Sequence, residues 1–160
     1  MNIEKLNRGL TLVANFGVLA GILFLAQEIQ QSNRIAIANS EIEIRSSYGP
    51  LNEAIYGDPE LAMLLIKAQS SDQKLDTVEQ VRLAAWLRQL TNQWIAIEIA
   101  YNNGMVPVGT YETIFDDQRQ IVRDAPAARP LFRKTIDNHP ALSETATVRS
   151  INQLLQEYGT

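Results

Sequence analysis

The sequence predicts an all-α protein in which an N-terminal transmembrane helix continues into a small helical bundle domain, and three observations carry that prediction. Residues 9–27 (GLTLVANFGVLAGILFLAQ) hold no charge in a chain that is 20% charged. Leu83, Leu87, Leu90, Trp94, Ile97 and Tyr101 recur at alternating spacings of four and three, the seam of a packed helix. Gly, Pro and capping residues stand where such helices would begin and end.

The apolar stretch 10–26 would be roughly 26 Å long as a helix, near the ~30 Å hydrocarbon core of a bilayer. Lys5 and Arg8 precede it and Glu28 follows. Two other readings exist. A core helix of a soluble protein would have to be enclosed on every side, which a small domain rarely manages. A cleaved signal peptide needs small residues at −3 and −1, but the tidiest site, Phe24-Leu25-Ala26, puts a bulky Phe at −3. An uncleaved anchor is the expectation, with residues 1–8 as a tail before it.

Residues 28–48 are expected to extend the same helix beyond the membrane. Their isoleucines mix spacings, and IAIA or EIEI taken alone would fit a strand, but continuity with the anchor favours helix. Gly49-Pro50 breaks it, because Pro lacks an amide donor and disfavours helical geometry in the residue before it. From residue 49 to 160 the pattern predicts one helical bundle domain. A short helix over 51–56 leads to a Gly57-Asp58 corner. Pro59 then opens a helix to Gln69 whose buried side is Leu61, Leu64, Leu65 and Ala68.

After the polar run 70–76, Asp76 with Glu79 forms a capping box at the head of the long helix 77–103. Gly104 closes that helix in a left-handed cap and Pro107 stops its continuation. Thr110 is expected to cap a helix over 111–124. Pro126 begins another to about Asp137, and Ser143 caps the last, 144–158.

Inside the anchor, Gly17-xxx-Gly21 with Ala14 and Ala20 makes a small-residue surface that suits close helix–helix contact in lipid. Gly and Ala are common in membrane helices, so the spacing alone could be chance. Asn15 adds weight, because an amide in hydrocarbon wants an interhelical partner and typically contributes about 0.5–2 kcal/mol. Ala14, Asn15, Gly17, Ala20 and Gly21 are therefore the candidate helix–helix interface. Its partner would be another transmembrane helix of a larger complex or a second copy, with the lipid bilayer around it.

No catalytic, cofactor-binding or metal-binding residues are assigned. The chain has no Cys and one His, His139, lodged before Pro140 at a helix boundary, and it contains neither HEXXH nor a glycine-rich phosphate loop after a strand. Glu98, set among Trp94, Ile95, Ile97, Ile99 and Tyr101, marks a candidate buried polar site with Tyr101. A buried carboxylate there must find a partner such as Arg88 or Arg123, or rise in pKa, and a register-fixing ion pair is the expected outcome. The net charge of −4 and the scattered Lys and Arg argue against nucleic acid as a partner.

Phe24–Asn33 (FLAQEIQQSN) after the apolar run, the Gly57–Ala62 corner (GDPELA), Glu98 and Tyr101 near the end of the long helix, and the Asn103–Val106 exit (NGMV) stand in order along almost the whole chain. In this it resembles a broad group of uncharacterised bacterial proteins with one N-terminal membrane helix and a small helical domain. It departs from the group's pattern at QEIQQSNR, where several Arg would be expected, and at Arg129-Pro130-Leu131-Phe132, where a Trp pair often stands. The resemblance implies architecture and a bacterial membrane location and carries no activity. Together these readings lead to the expectation of a single-pass inner-membrane accessory, scaffold or assembly subunit. A membrane-tethered sensor-like bundle that binds a small ligand is the alternative, and an enzyme the third. Lys5, Arg8 and the amino terminus oppose only Arg34 and Arg45 within reach of the other end, which weakly favours a cytoplasmic N-terminus and a periplasmic domain.

Overall fold

Nothing in the first 47 residues interrupts a helix, and the computed structural model, which describes residues 3–159, shows one there: α1 (Ile3–Ser47). The first two residues of the predicted tail and Thr160 lie outside the described residues. By contact, the chain divides into two units, one up to residue 39 and one from residue 40 onward. The first unit is the bare helix. Within it lies the one described helix long and apolar enough to cross a membrane, and none of that stretch is buried.

The second unit takes in the last turns of α1. Ile44 and Tyr48 pack against its core, Gln93 Nε2 donates to Ser47 Oγ, and Thr110 Oγ1 donates to Glu41 at 3.4 Å. The bundle thus begins about two turns earlier than the Gly49-Pro50 break implies. Pro50 acts as expected, ending α1 at Ser47 and sitting in the first turn of α2 (Gly49–Gly57).

Asp58 caps α3 (Pro59–Ala68), accepting from the Glu60 and Leu61 amides at 3.0 and 3.1 Å, and Arg82 reaches back to it at 2.5 Å. α4 (Thr77–Asn102) opens on the expected capping box, with Glu79 N donating to Asp76 at 2.8 Å and Asp76 N to Glu79 at 2.7 Å. It closes on Gly104, whose φ of +70° lets Met105 N reach the Ala100 carbonyl and Gly104 N the Tyr101 carbonyl.

Two caps fall elsewhere than expected. α5 (Val108–Asp124) starts directly after Pro107, whose fixed φ of −65° suits the position before a helix, so Thr110 lies inside the first turn rather than capping it. Pro140 winds residues 140–144 into a 3-10 turn. That turn consumes Ser143, which donates to the Pro140 carbonyl at 2.6 Å, and Thr145 instead caps α7 (Ala146–Tyr158). A similar turn at 126–128 delays α6 to Arg129–Asn138. Arg129 then ties two helix ends, donating to the Val122 and Arg123 carbonyls of α5 and the Tyr158 carbonyl of α7, where a cation also suits the helix dipoles.

Among the described residues there is no strand, and the fold is all-α. Within the second unit α4 is the common neighbour of α3, α5, α6 and α7. Its Leu83, Leu87, Leu90, Trp94 and Ile97 are all buried, with Trp94 stacked 6.3 Å from Phe132 of α6. α7 contributes Val148, Ile151 and Leu155, and α5 contributes Ile114 and Val122.

Candidate functional site

Position 98 falls on the seam of α4, which carries its carboxylate inward, where it is 7% exposed. Neither Arg88 nor Arg123 meets it. Glu98 accepts instead from the Ala146 amide at 2.7 Å, the Thr147 amide at 2.8 Å and the Thr147 hydroxyl at 2.6 Å. Those amides are the first two of α7, groups that no helix can satisfy internally. Thr145 Oγ1 takes the third, from Val148, at 3.2 Å, and the Arg149 amide bonds the Thr145 carbonyl at 3.1 Å. A carboxylate from one helix therefore completes the cap of another, at the positive end of its dipole.

The expected ion pair is thus replaced by a cross-helix cap. Burial works to raise the Glu98 pKa, but the Thr147 hydroxyl, the two amides and the nearby Arg149 charge outweigh it, and the carboxyl lies below its ordinary range. An ionised carboxylate with three donors on its oxygens is a poor proton acceptor, so this geometry makes Glu98 a structural anion rather than a general base.

Tyr101, one turn further on, is half-buried and stacks on Tyr111 at 4.2 Å with the rings nearly parallel, while Phe115 meets Tyr111 edge-on at 5.1 Å. Burial, then the Glu98 charge, raises the Tyr111 pKa. The structure thus brings Glu98 and Tyr101 to one place through Tyr111 and Thr147. Neither of those two was singled out from the sequence. Thr147 had no local signal. Tyr111 stands on the next helix, across the Gly104 turn, where helical spacing from Tyr101 carries no signal.

A second polar cluster lies where Tyr48 meets the bundle. Burial and then the Asp117 charge push the Tyr48 hydroxyl up to about 12, and burial likewise raises the Asp117 carboxyl. The Trp94 indole N–H is close enough to oppose both shifts, yet makes no hydrogen bond of full geometry. Beside Asp117 in sequence, Gln118 is wholly buried with both amide atoms unpartnered. His139 ends α6 with Nδ1 3.0 Å from the Thr135 carbonyl. Among the described residues no three His, Asp or Glu side chains gather at metal-binding distance.

On the apolar stretch of α1, Ala14, Asn15, Gly17, Ala20 and Gly21 are all exposed, and a Cβ added at Gly17 or Gly21 would meet nothing within 4 Å. At about 100° per residue, Ala14, Gly17, Ala20 and Gly21 share one arc, whereas Asn15 points roughly 100° or more away from all four. The amide therefore belongs to a different helix face, with Thr11 and Ile22, and the five residues make two surfaces rather than one. The chain matches no family model, no curated protein and no solved structure.

Proposed function

We propose that this chain is a single-pass bacterial inner-membrane protein that works by contact, as an accessory, scaffold or assembly subunit of a larger membrane complex. The observation that carries the reading is the anchor itself. A helix of spanning length and polarity is exposed along its whole apolar stretch, and Gly17 and Gly21 with Ala14 and Ala20 make one of its faces small. Apolar surface covered by lipid needs no protein partner, but a face cleared of side chains lets another backbone approach closely.

The helical domain fits the same role, since its buried carboxylate Glu98 is consumed in holding α7. The acidic balance of the chain speaks against nucleic acid. Lys5 and Arg8 stand directly before the apolar stretch whereas Arg34 and Arg45 lie farther beyond it, which favours a periplasmic domain.

Gentle solubilisation and purification test the reading. A stoichiometric membrane partner, or a second copy, should accompany the wild type and be lost in the Gly17→Leu, Gly21→Leu double variant, which inserts normally because Leu is the more apolar residue. A wild type that purifies alone and monomeric in mild detergent would refute it.

A further inference from the structure

Leu83, Leu87 and Leu90 commit one side of α4 to the core, yet the same helix carries a second stripe on an adjoining face. Thr77, Gln80, Val81, Ala84, Ala85 and Arg88 follow the i, i+3, i+4, i+7, i+8, i+11 pattern of a single helical ridge. From α6, Leu131, Lys134, Thr135 and Asn138 form the facing ridge at i, i+3, i+4 and i+7. Between them runs a furrow of about 340 Å³, which continues past Gln80, Leu131 and Lys134 into a second hollow at Lys74, Leu75 and Pro130. From Thr77 to Arg88 the α4 wall is roughly 16 Å long, about three helical turns.

The floor is apolar and small. Ala84 and Ala85 leave room for close approach, and Val81 is 65% exposed with nothing of this chain over it. The rim is cationic: the chain is net −4, yet no Asp or Glu lines either hollow, while Lys74, Arg88 and Lys134 do. Elsewhere in the second unit cations are spoken for. Lys67, Arg82, Arg119 and Arg123 pair with carboxylates. Arg129, Arg133 and Arg149 bond carbonyl or amide oxygens. Among the described residues of the second unit, Lys74, Arg88 and Lys134 share the lack of such a partner with Arg45 alone.

We propose that this furrow docks an acidic amphipathic helix, about three turns long, supplied by a partner protein; the assignment rests on the accessory-subunit reading and names the partner's chemistry. The helix sets apolar residues at i, i+3, i+4 and i+7 on Val81, Ala84, Ala85 and Leu131, and its flanking Asp and Glu meet Lys74, Arg88 and Lys134. A free small anion would leave the Val81 floor uncovered. The apolar stripe therefore favours a helix.

Site-specific photo-crosslinking in native membranes tests this on the full chain. With a benzophenone side chain in place of Ala85, irradiation should join the furrow to a segment whose sequence, read by mass spectrometry, carries acidic residues around that apolar spacing. Arg88→Glu with Lys134→Glu should cut the yield about tenfold or more, since like charges then face each other across the rim. The milder Arg88→Ala, Lys134→Ala pair should give an intermediate loss, and Arg119→Glu on α5 should give none. All these side chains are exposed apart from their rim contacts, and unchanged melting checks that the variants fold. Absence of a crosslink, a crosslink to lipid, to a basic segment or to a second copy, or a yield indifferent to charge reversal overturns the furrow assignment. Partners still lost through Gly17→Leu, Gly21→Leu would then leave the accessory-subunit reading standing, and partners lost through neither set of variants would remove both.

Discussion

Replacing Glu98 should destabilise the helical domain more than any other single polar substitution, and its size follows from three bonds. Glu98→Ala leaves the buried Thr147 amide and hydroxyl without an acceptor, while the Ala146 amide, only partly buried, can turn to water. Hydrogen bonds to a charged group contribute about 1.5–3 kcal/mol each and do not add fully, so a cost of about 3–5 kcal/mol is expected. Glu98→Gln keeps one acceptor oxygen but loses the charge and turns an NH2 toward donors, for a cost of about 2–3 kcal/mol. For a unit of about 120 residues the Ala variant should melt roughly 10–20 °C lower. The sign with pH is fixed as well. Because the folded pKa lies below the ordinary 4.5, the unfolded chain holds the proton in the interval between the two values. Stability from this carboxylate is therefore complete above about pH 4.5 and is lost as pH falls through the folded value. Circular dichroism melts of residues 40–160 should show the gap between wild type and Glu98→Gln constant above about pH 4.5 and narrowing as the pH falls below it. Equal melting of the two proteins at neutral pH, or a gap that does not narrow in acid, would refute the cross-helix cap.

Gln118→Met should raise the melting temperature, because both amide atoms are buried without partners and an apolar side chain of similar length removes a desolvation cost of about 1–3 kcal/mol; a drop in chemical-denaturation midpoint would show that the amide is satisfied after all. A soluble fragment beginning at Ser40 should fold cooperatively and outlast one beginning at Gly49, which lacks Ile44 and Tyr48 of the packed surface, and equal midpoints would mean those residues contribute nothing. Asn15→Leu should leave any association through the Gly17–Gly21 face intact, since the two lie on different sides of α1, and parallel loss in an intramembrane association assay would place them on one surface. Reporters fused to the carboxyl terminus should be active in the periplasm, and activity confined to the cytoplasm would reverse the topology.

What the sequence made legible was local. The Asp76–Glu79 box, the left-handed Gly104 and the seam from Leu83 to Ile97 depend on residues within a turn or two of each other, and all three stand as read. Where two hydroxyls competed within three residues, Ser143 and Thr145, the choice turned on how far Pro140 would wind its 3-10 turn, which spacing does not reveal. Glu98 was recognisable as a buried carboxylate, but not its partners. Sequence displays charges, so a guanidinium looked like the natural mate, whereas the free amides of a helix beginning 48 residues later are invisible until the fold brings them there. The second stripe on α4 was present as spacing all along, hidden because the leucine seam beside it accounted for the helix.

The placement of α7 in the core also sets an order of events during synthesis. Val148, Ile151 and Leu155 are buried against helices made earlier, and the donors that hold Glu98 belong to the same element. From the moment Trp94 is polymerised, roughly 60 further residues must follow before its layer of the bundle can close, about 3–12 s at ordinary rates of elongation. Throughout that interval the apolar seam of α4 is uncovered on the same nascent chain as the exposed apolar stretch of α1. A chain that stops short of Ala146 therefore keeps an open core, and differs from the folded unit by its exposed leucines.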